Sequence, residues 1–281
     1  MSGFLAQRGA VVGAILVALL VVLAIARPGG GDPLALDIER GLSELGAPLP
    51  PSAEAPLGTD HLGRDVWSRV VAGAGTSLTI AAIATLVALL IGLAVGLAAG
   101  YAGGWVDTLL MRVVDLVLAF PFLLLAILLA ALLRQTGLAA SSAPIVLTLG
   151  IVGWTTMARV IRGKARALAD SEMIVAARAL GASPIRIVVR HVLPNVLGAV
   201  VVVVVLGFAQ NLLAEAALSY VGLGSPPPAP TWGRMLYEGR VYYRTAPHLV
   251  LAPGLAILVS VIAFNLLGEG LRATFDGKER R

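Results

Sequence analysis

No cysteine occurs among the 281 residues, which excludes a disulfide framework and a thiolate-held metal. Charge is scarce: only 13% of the residues are Asp, Glu, Lys or Arg, against roughly a quarter in ordinary soluble domains. Of the 3 histidines, His191 and His248 are isolated and His61 has no matching ligand set around it, so no metal site is expected. A phosphate loop is also missing. Gly163-Lys164 lacks both the glycine upstream and the Ser or Thr that should follow, so the chain is not expected to hydrolyse ATP. No acid, base and nucleophile gather in one motif, which leaves an enzymatic reading without residues to carry it. No cofactor is expected in this chain.

What the chain does have is apolar length, since 58% of it is hydrophobic. A bilayer crossing needs about 20 largely apolar residues. Six stretches without Asp, Glu, Lys or Arg meet that need: Gly9 to Ala26, Val70 to Val106, Leu116 to Leu133, Gly137 to Ala158, Asn195 to Ala214 and Ala246 to Gly268. The second overshoots one crossing and is expected to contain a turn. Val200 to Val205 would favour a strand in water, but a lone strand in lipid leaves backbone donors and acceptors unpaired, so helix is forced. Gly92, Gly96 and Gly100 have the spacing that lets two helix backbones approach closely in a bilayer. The first stretch follows Arg8 and ends in Ala24-Ile25-Ala26 like a signal peptide, but it exceeds the usual apolar core of about 7 to 15 residues and reads as a retained span. The expectation is an all-α polytopic membrane protein with six transmembrane helices.

With six crossings both termini share a side. The greater part of the 21 Lys and Arg falls on that side, at Arg8, Arg112, between Arg159 and Arg190, and from Arg272 to Arg281. The basic face is expected to be cytoplasmic by the positive-inside rule. The high isoelectric point, about 10.1, is then met by anionic lipid headgroups and calls for no nucleic acid.

Ala167 to Asn195 is amphipathic and too polar to cross. It predicts two short helices. Asp170 or Ser171 can cap the first and Gly181 can end it in a left-handed conformation; Ser183 and Pro184 suit the start of the second, and Pro194 marks entry to the fifth span. The first helix is expected to expose Met173, Ala176, Ala177 and Leu180, small and apolar enough to enter a groove on another protein. Gln210, Asn211 and Glu215 are costly in lipid and should face the bundle interior or a cavity. Asp107 and Asp115 are expected to pair with Arg112.

Ala176-Ala177, Gly181 and Leu193-Pro194 reproduce the spacing of the EAA loop of permeases in binding-protein-dependent ABC importers, with Val175 where the family has Glu. Four further segments resemble the dipeptide/oligopeptide branch, in its peptide/nickel C-type subunits. They are Gly58-Thr59-Asp60 with Gly63-Arg64-Asp65 and Ser68-Arg69; Gly100-Tyr101 through Ala119-Phe120-Pro121; Glu215 through Gly224 with Pro226-Pro227-Pro228 and Trp232-Gly233; and Phe264 through Arg272. Together they run from about Gly58 to Arg272.

The resemblance implies a bacterial cytoplasmic-membrane permease with both termini cytoplasmic. It implies three divisions: a first helix and extracytoplasmic linker at 1–70, an importer transmembrane domain at 71–272 with its coupling loop at 164–195, and a cytoplasmic tail at 273–281. It also implies that Met173, Ala176, Ala177, Leu180, Gly181, Ala182 and Ser183 dock on an ATPase, and that Gln210, Asn211 and Glu215 are candidates for the solute path. The implied partners are a second homologous permease, two ATPase subunits holding ATP and Mg, an extracytoplasmic solute-binding protein, and membrane lipid. Peptides are the implied solute, with nickel chelates or other small conjugates as the alternative. An ion-coupled secondary transporter would need more intramembrane carboxylates than Glu215 and Asp115.

Overall fold

The computed structural model describes residues 7–28 and 31–279, the side chains of 276–279 excepted. Gly29 and Gly30 of the linker, and Arg280, Arg281 and the Lys278 side chain of the basic terminus, lie outside the described residues.

Among the described residues every regular element is a helix: α1 (Arg8–Ala26), α2 (Val66–Ala102), α3 (Gly104–Leu118), α4 (Phe122–Arg134), α5 (Ala143–Ala169), α6 (Glu172–Ala179), α7 (Pro184–Ile187), α8 (Leu193–Tyr220), α9 (Trp232–Gly239) and α10 (His248–Glu279). Five helical runs are long and apolar enough to cross a membrane: α1, α2, α5, the continuous run Pro184–Tyr220, and α10. No sixth helix of that kind is found among the described residues. α3 and α4 meet at 88°, so the expected third span is an elbow. Its cause is Pro121, which has no N–H and forces the residue before it out of the helical region. The Ala119 amide closes α3 on the Asp115 carbonyl at 2.9 Å, and the Leu125 amide opens α4 on the Pro121 carbonyl at 3.1 Å.

The overshooting second stretch contains its expected turn, at Gly103 and Gly104, both at positive φ, after the 37 residues of α2. At 1.5 Å per residue α2 is about 55 Å long, longer than the roughly 30 Å hydrocarbon layer. One further expectation changes: the second short helix of the polar loop is not separate from the fifth span. α7 passes into α8 through one π turn, Val188–Val192. A wider turn, closed by the Leu193 amide on the Val188 carbonyl, carries the chain past Pro194, whose ring would clash with the carbonyl of an ordinary turn.

The bundle is built on the pairing of α2 with α5. A β-carbon at Gly92 would come 2.8 Å from the Met157 β-carbon, one at Gly96 2.8 Å from the Ala158 carbonyl, and one at Gly100 2.6 Å from the Ala165 β-carbon. Three successive turns of α2 thus lie directly on the α5 backbone, as the small-residue spacing predicts. Around this seam, at the α6 end of the bundle, one core forms from Leu97, Trp154, Met157, Ile161, Ile174, Ile187 and Val196. A second core at the α9 end gathers Leu78, Leu212, Trp232, Met235, Leu249 and Ile257.

α3 is held to α5 by charge. Arg162 grips Asp107 with two nitrogens, Nη2 reaching Oδ2 at 2.6 Å, and Arg159 reaches Asp115 at 2.5 Å. The partners of the two acids are therefore arginines of α5 and not Arg112, because a neighbouring helix presents its charges across the groove better than α3 does along its own axis.

Placing a leucine at Gly96 should separate α2 from α5 and cost about 1–3 kcal/mol by overpacking. An alanine at Gly163, where nothing lies within 4 Å of a new β-carbon, should be neutral. Thermal unfolding of the purified chain in detergent checks both, and an unchanged midpoint for Gly96→Leu would refute the seam.

Candidate functional site

The polar loop folds as its capping residues dictate. Gly181 has φ +78°, and α6 ends in a Schellman arrangement: the Ala182 amide donates to the Ala177 carbonyl at 3.1 Å and the Gly181 amide to the Arg178 carbonyl at 2.9 Å. The Ser183 hydroxyl accepts the Arg186 amide at 3.4 Å and Pro184 takes the first helical position. Ser171 stands at the N-cap of α6, but its hydroxyl donates backwards to the Leu168 carbonyl at 2.7 Å.

Met173, Ala176 and Leu180 face out of the bundle, Leu180 at 88% exposure. Ala177 does not. It is buried with Ile174 and Ile187, because an eight-residue helix resting on the bundle must turn one stripe inward, and that stripe falls on positions three apart. Arg178 lies 5.1 Å over the ring of Tyr101 at the end of α2, which ties α6 to the α2–α5 seam.

Two cavities open along α5 and α8. The larger, of about 780 Å³, runs between Met157, Val160 and Lys164 of α5, Asn195 to Gln210 of α8, and Arg272 and Phe275 of α10. The smaller, of about 390 Å³, lies against the α3–α4 elbow at Phe120, Phe122 and Leu123. Gly153, Thr156, Met157, Gly207 and Gln210 line both.

The three polar residues of α8 have different surroundings. Gln210 is exposed on the wall that the cavities share. Asn211 lines the smaller cavity while its Nδ2 donates to the Thr85 hydroxyl at 3.0 Å. Glu215 touches neither cavity. It is fully buried and accepts from Ser219 at 2.8 Å and Ser77 at 3.5 Å.

Sequence reasoning missed a buried ion cluster at the α9 end. Arg64 Nε donates to Asp60 at 2.7 Å and its Nη2 to Glu238 at 3.1 Å; Arg69 donates to the same Asp60 oxygen and, at 2.9 Å, to Glu238; Arg234 closes on Glu238 at 2.8 Å. Burial alone would push the Asp60 carboxyl up, but Arg69, the Leu62 and Arg64 amides and the Arg64 guanidinium outweigh it and hold the group below its ordinary value. Glu238 is likewise lowered, with burial opposing and Arg69, Arg234 and Arg64 prevailing. Asp60, His61 and Glu238 could each offer a metal an atom within 4.8 Å of the others, but both carboxylates are already taken by guanidinium groups that a cation would have to displace. The one sequence signal was the run of charges from Asp60 to Arg69. Its partner lies some 170 residues away and could not be read from spacing.

The loop that follows α8 is tied down from several sides. Arg134 of α4 donates to the Gly222 carbonyl at 3.0 Å and to that of Gly224. The Ser142 and Ser225 hydroxyls meet at 2.9 Å. The indole of Trp232 donates to the Val70 carbonyl at 2.8 Å and its backbone amide to Ser77 at 3.1 Å. A helix of one amphipathic face, α9, is thereby sunk into the bundle with Trp232, Gly233, Met235 and Gly239 buried.

Residues 92–281 match the family described as binding-protein-dependent transport system inner membrane component. A permease named for a peptide transport system in Brucella suis is 39% identical over 272 residues, 96% of this chain and 88% of that protein. The glutathione transport system permease protein of Shigella flexneri is 43% identical over 228 residues, 81% of this chain and 74% of that one. The methionine ABC transporter MetNI, solved in an inward-facing conformation, shares the fold with a TM-score of 0.58 at 21% identity, covering 73% of this chain and 95% of that chain.

Both carboxylates of the ion cluster titrate below their unfolded values. Their contribution is therefore complete above about pH 5 and is lost as the pH falls through the folded values, below about pH 4. Asp60→Asn should cost about 3 kcal/mol at pH 7 by leaving buried guanidinium groups short of a partner, and the gap to wild type should narrow under acid. Unfolding midpoints in detergent at pH 7, 5 and 3.5 measure this; a gap independent of pH would contradict it.

Proposed function

The chain belongs to the family of binding-protein-dependent transport system inner membrane components, and from that premise we propose that it forms one half of the solute path of an ATP-driven peptide importer. It is a membrane permease of an ABC importer. The finer assignment is our reading, and the observation that carries it is α6: a short helix, closed at Gly181, that presents Met173, Ala176 and Leu180 outward from the end of the α2–α5 pair. An apolar face of that size suits insertion into a groove of a separate ATPase subunit. Gly181, Ala182 and Ser183 would set the angle at which it leaves, and Ala177 would anchor it from within.

In this reading two ATPase subunits bind and hydrolyse ATP with Mg, and this chain hydrolyses none. Closure of the ATPases pushes α6, and α6 is in contact with two parts of the bundle. Through its packing on Ile187 and the π turn it reaches α8; through Arg178 and Tyr101 it reaches α2. A displacement there tilts α8 relative to α5 and changes the two cavities between them. A second, homologous permease would complete the wall that this chain leaves open, and a solute-binding protein would deliver cargo at the α9 end. The three divisions of the chain at 1–70, 71–272 and 273–281 fit this arrangement as anchor and linker, transport unit and tail.

Peptide is the preferred cargo because the relatives named above carry peptide and glutathione in their names. Those names favour it over nickel chelates. The basic α6 end is the cytoplasmic one by the positive-inside rule. Cysteines placed at Ser183 and Thr245, both exposed, should be labelled by an impermeant thiol reagent from opposite sides of the membrane. Labelling of both from one side would reverse or break this topology.

Coupling is tested at the two ends of α6. Leu180→Asp puts a charge on the exposed face, and Gly181→Val strains the left-handed turn by about 1 kcal/mol. Each should lower transport and binding-protein-stimulated ATP hydrolysis together by tenfold or more, while the amount of chain in the membrane stays near normal. Ala177→Asp should instead reduce that amount, since it buries an unpaired charge. Vesicle transport normalised to chain content is the measurement, and full activity of Leu180→Asp and Gly181→Val would remove α6 from the coupling path.

A further inference from the structure

The wall shared by the two cavities has a chemistry of its own. It is made of Gly153, Thr156 and Met157 near the middle of α5, and Gly207 and Gln210 on the facing stretch of α8. Two of these positions lack a side chain, and at one of them Met157 packs directly on the backbone: a β-carbon at Gly207 would lie 2.5 Å from the Met157 methyl. The polar groups that remain are Thr156 and Gln210, both exposed to the cavities. Nothing on this wall is charged.

Asn211 adds a third group whose orientation is determined. The Thr85 hydroxyl donates to the Ala81 carbonyl at 2.7 Å and so meets Asn211 as an acceptor; Asn211 must turn its Nδ2 toward Thr85, at 3.0 Å. Its Oδ1 therefore points the other way, to within 3.4 Å of where a β-carbon would stand on Gly153, on the lining of the smaller cavity. One buried hydrogen bond thus aims an amide oxygen at the wall that Gln210 and Thr156 share.

We propose, resting on the peptide-import reading, that Gln210, Thr156 and the Asn211 Oδ1 form a subsite that recognises amide groups of the passing peptide. A peptide bond presents an N–H and a C=O at a fixed spacing. Gln210 offers a donor and an acceptor on one side chain, Thr156 a hydroxyl that serves either, and Asn211 an acceptor only. Met157 lines both cavities and Phe122 and Leu123 the smaller one toward the elbow, so apolar residues flanking the amide are taken up without regard to sequence; the charged Lys164 and Arg272 line the larger cavity outside the shared wall. Neutral, paired donors and acceptors suit a passage that must release its cargo: each such bond gains little net against water, where a buried charge would hold or repel it far more strongly.

The test uses the complete importer, with its partner permease, ATPases and binding protein, reconstituted in vesicles. Two cargoes are compared: trialanine, and the same compound with the first of its two amides replaced by an ester, which keeps the shape and the carbonyl but loses the N–H. Gln210→Ala and Thr156→Val are compared with wild type using one binding protein, so that its own preference cancels in the ratio. For the variants the KM for trialanine should rise about three- to tenfold, the loss expected for one hydrogen bond, while the KM for the ester changes less. Equal changes for both cargoes, or no change for either variant, would overturn the subsite and leave peptide import standing. No uptake of either compound by the wild-type importer would overturn the peptide reading and this proposal with it.

Discussion

The close approach of α2 and α5 over Gly92, Gly96 and Gly100 is the contact on which the remaining parts are mounted. Lipid offers no hydrophobic gain for bringing two apolar helices together, so they associate only where backbones can come close enough for many short contacts. Once they do, α5 is fixed along its length, and it carries a different element on each side. Arg159 and Arg162 hold α3, and Thr156 and Met157 wall the cavities. Beyond Ala169 the chain turns into α6. A shift of this pair would move the elbow, the cavity wall and the exposed helix at once.

The two ends of the molecule are stabilised by opposite means. At the α6 end, the exposed helix is short, closed by backbone hydrogen bonds at Gly181 and seated on aliphatic side chains; such contacts slide and tilt at small cost. At the α9 end, Asp60, Arg64, Arg69, Arg234 and Glu238 share hydrogen bonds in a buried cluster, and Trp232 is bonded to α2 through both its indole and its amide. Removing Asp60 or Glu238 there leaves the buried Arg64 and Arg69 short of a partner, so that end resists deformation. The two ends thus differ in how readily they deform, and the π turn at Val188–Val192 leads into α8 with a local irregularity of the helix at the softer one.

Much of the helical inventory and the shape of the polar loop were legible in the chain. Apolar length marked all five helical runs long enough to cross, because in hydrocarbon the backbone must pair with itself. The Gly181, Ser183 and Pro184 punctuation of the loop was readable for the same reason that it works: caps are interactions within about five residues. The elbow at Pro121 was not read: Leu116 to Leu133 passed as one span by apolar length, and only the structure shows α3 and α4 meeting there at 88°. The inward turn of Ala177 was not readable, as nothing in an eight-residue amphipathic stretch tells which of two similar small-residue stripes the bundle will cover.

Composition and local spacing, by themselves, determined a helical membrane protein with a capped polar loop and a glycine seam, because hydration, chirality and capping act over a few residues. Only the tertiary structure decided the rest. It joined Asp60 and Arg69 to Glu238 across some 170 positions, gave Asp107 and Asp115 their arginines from α5, and separated Gln210, Asn211 and Glu215 into a cavity-facing amide, a tethered amide and a fully buried carboxyl. Three polar residues within six positions of one helix look alike in a sequence. The helices that face each of them are brought there by long-range packing, and that packing alone distinguishes a residue facing open space from one that holds the bundle together.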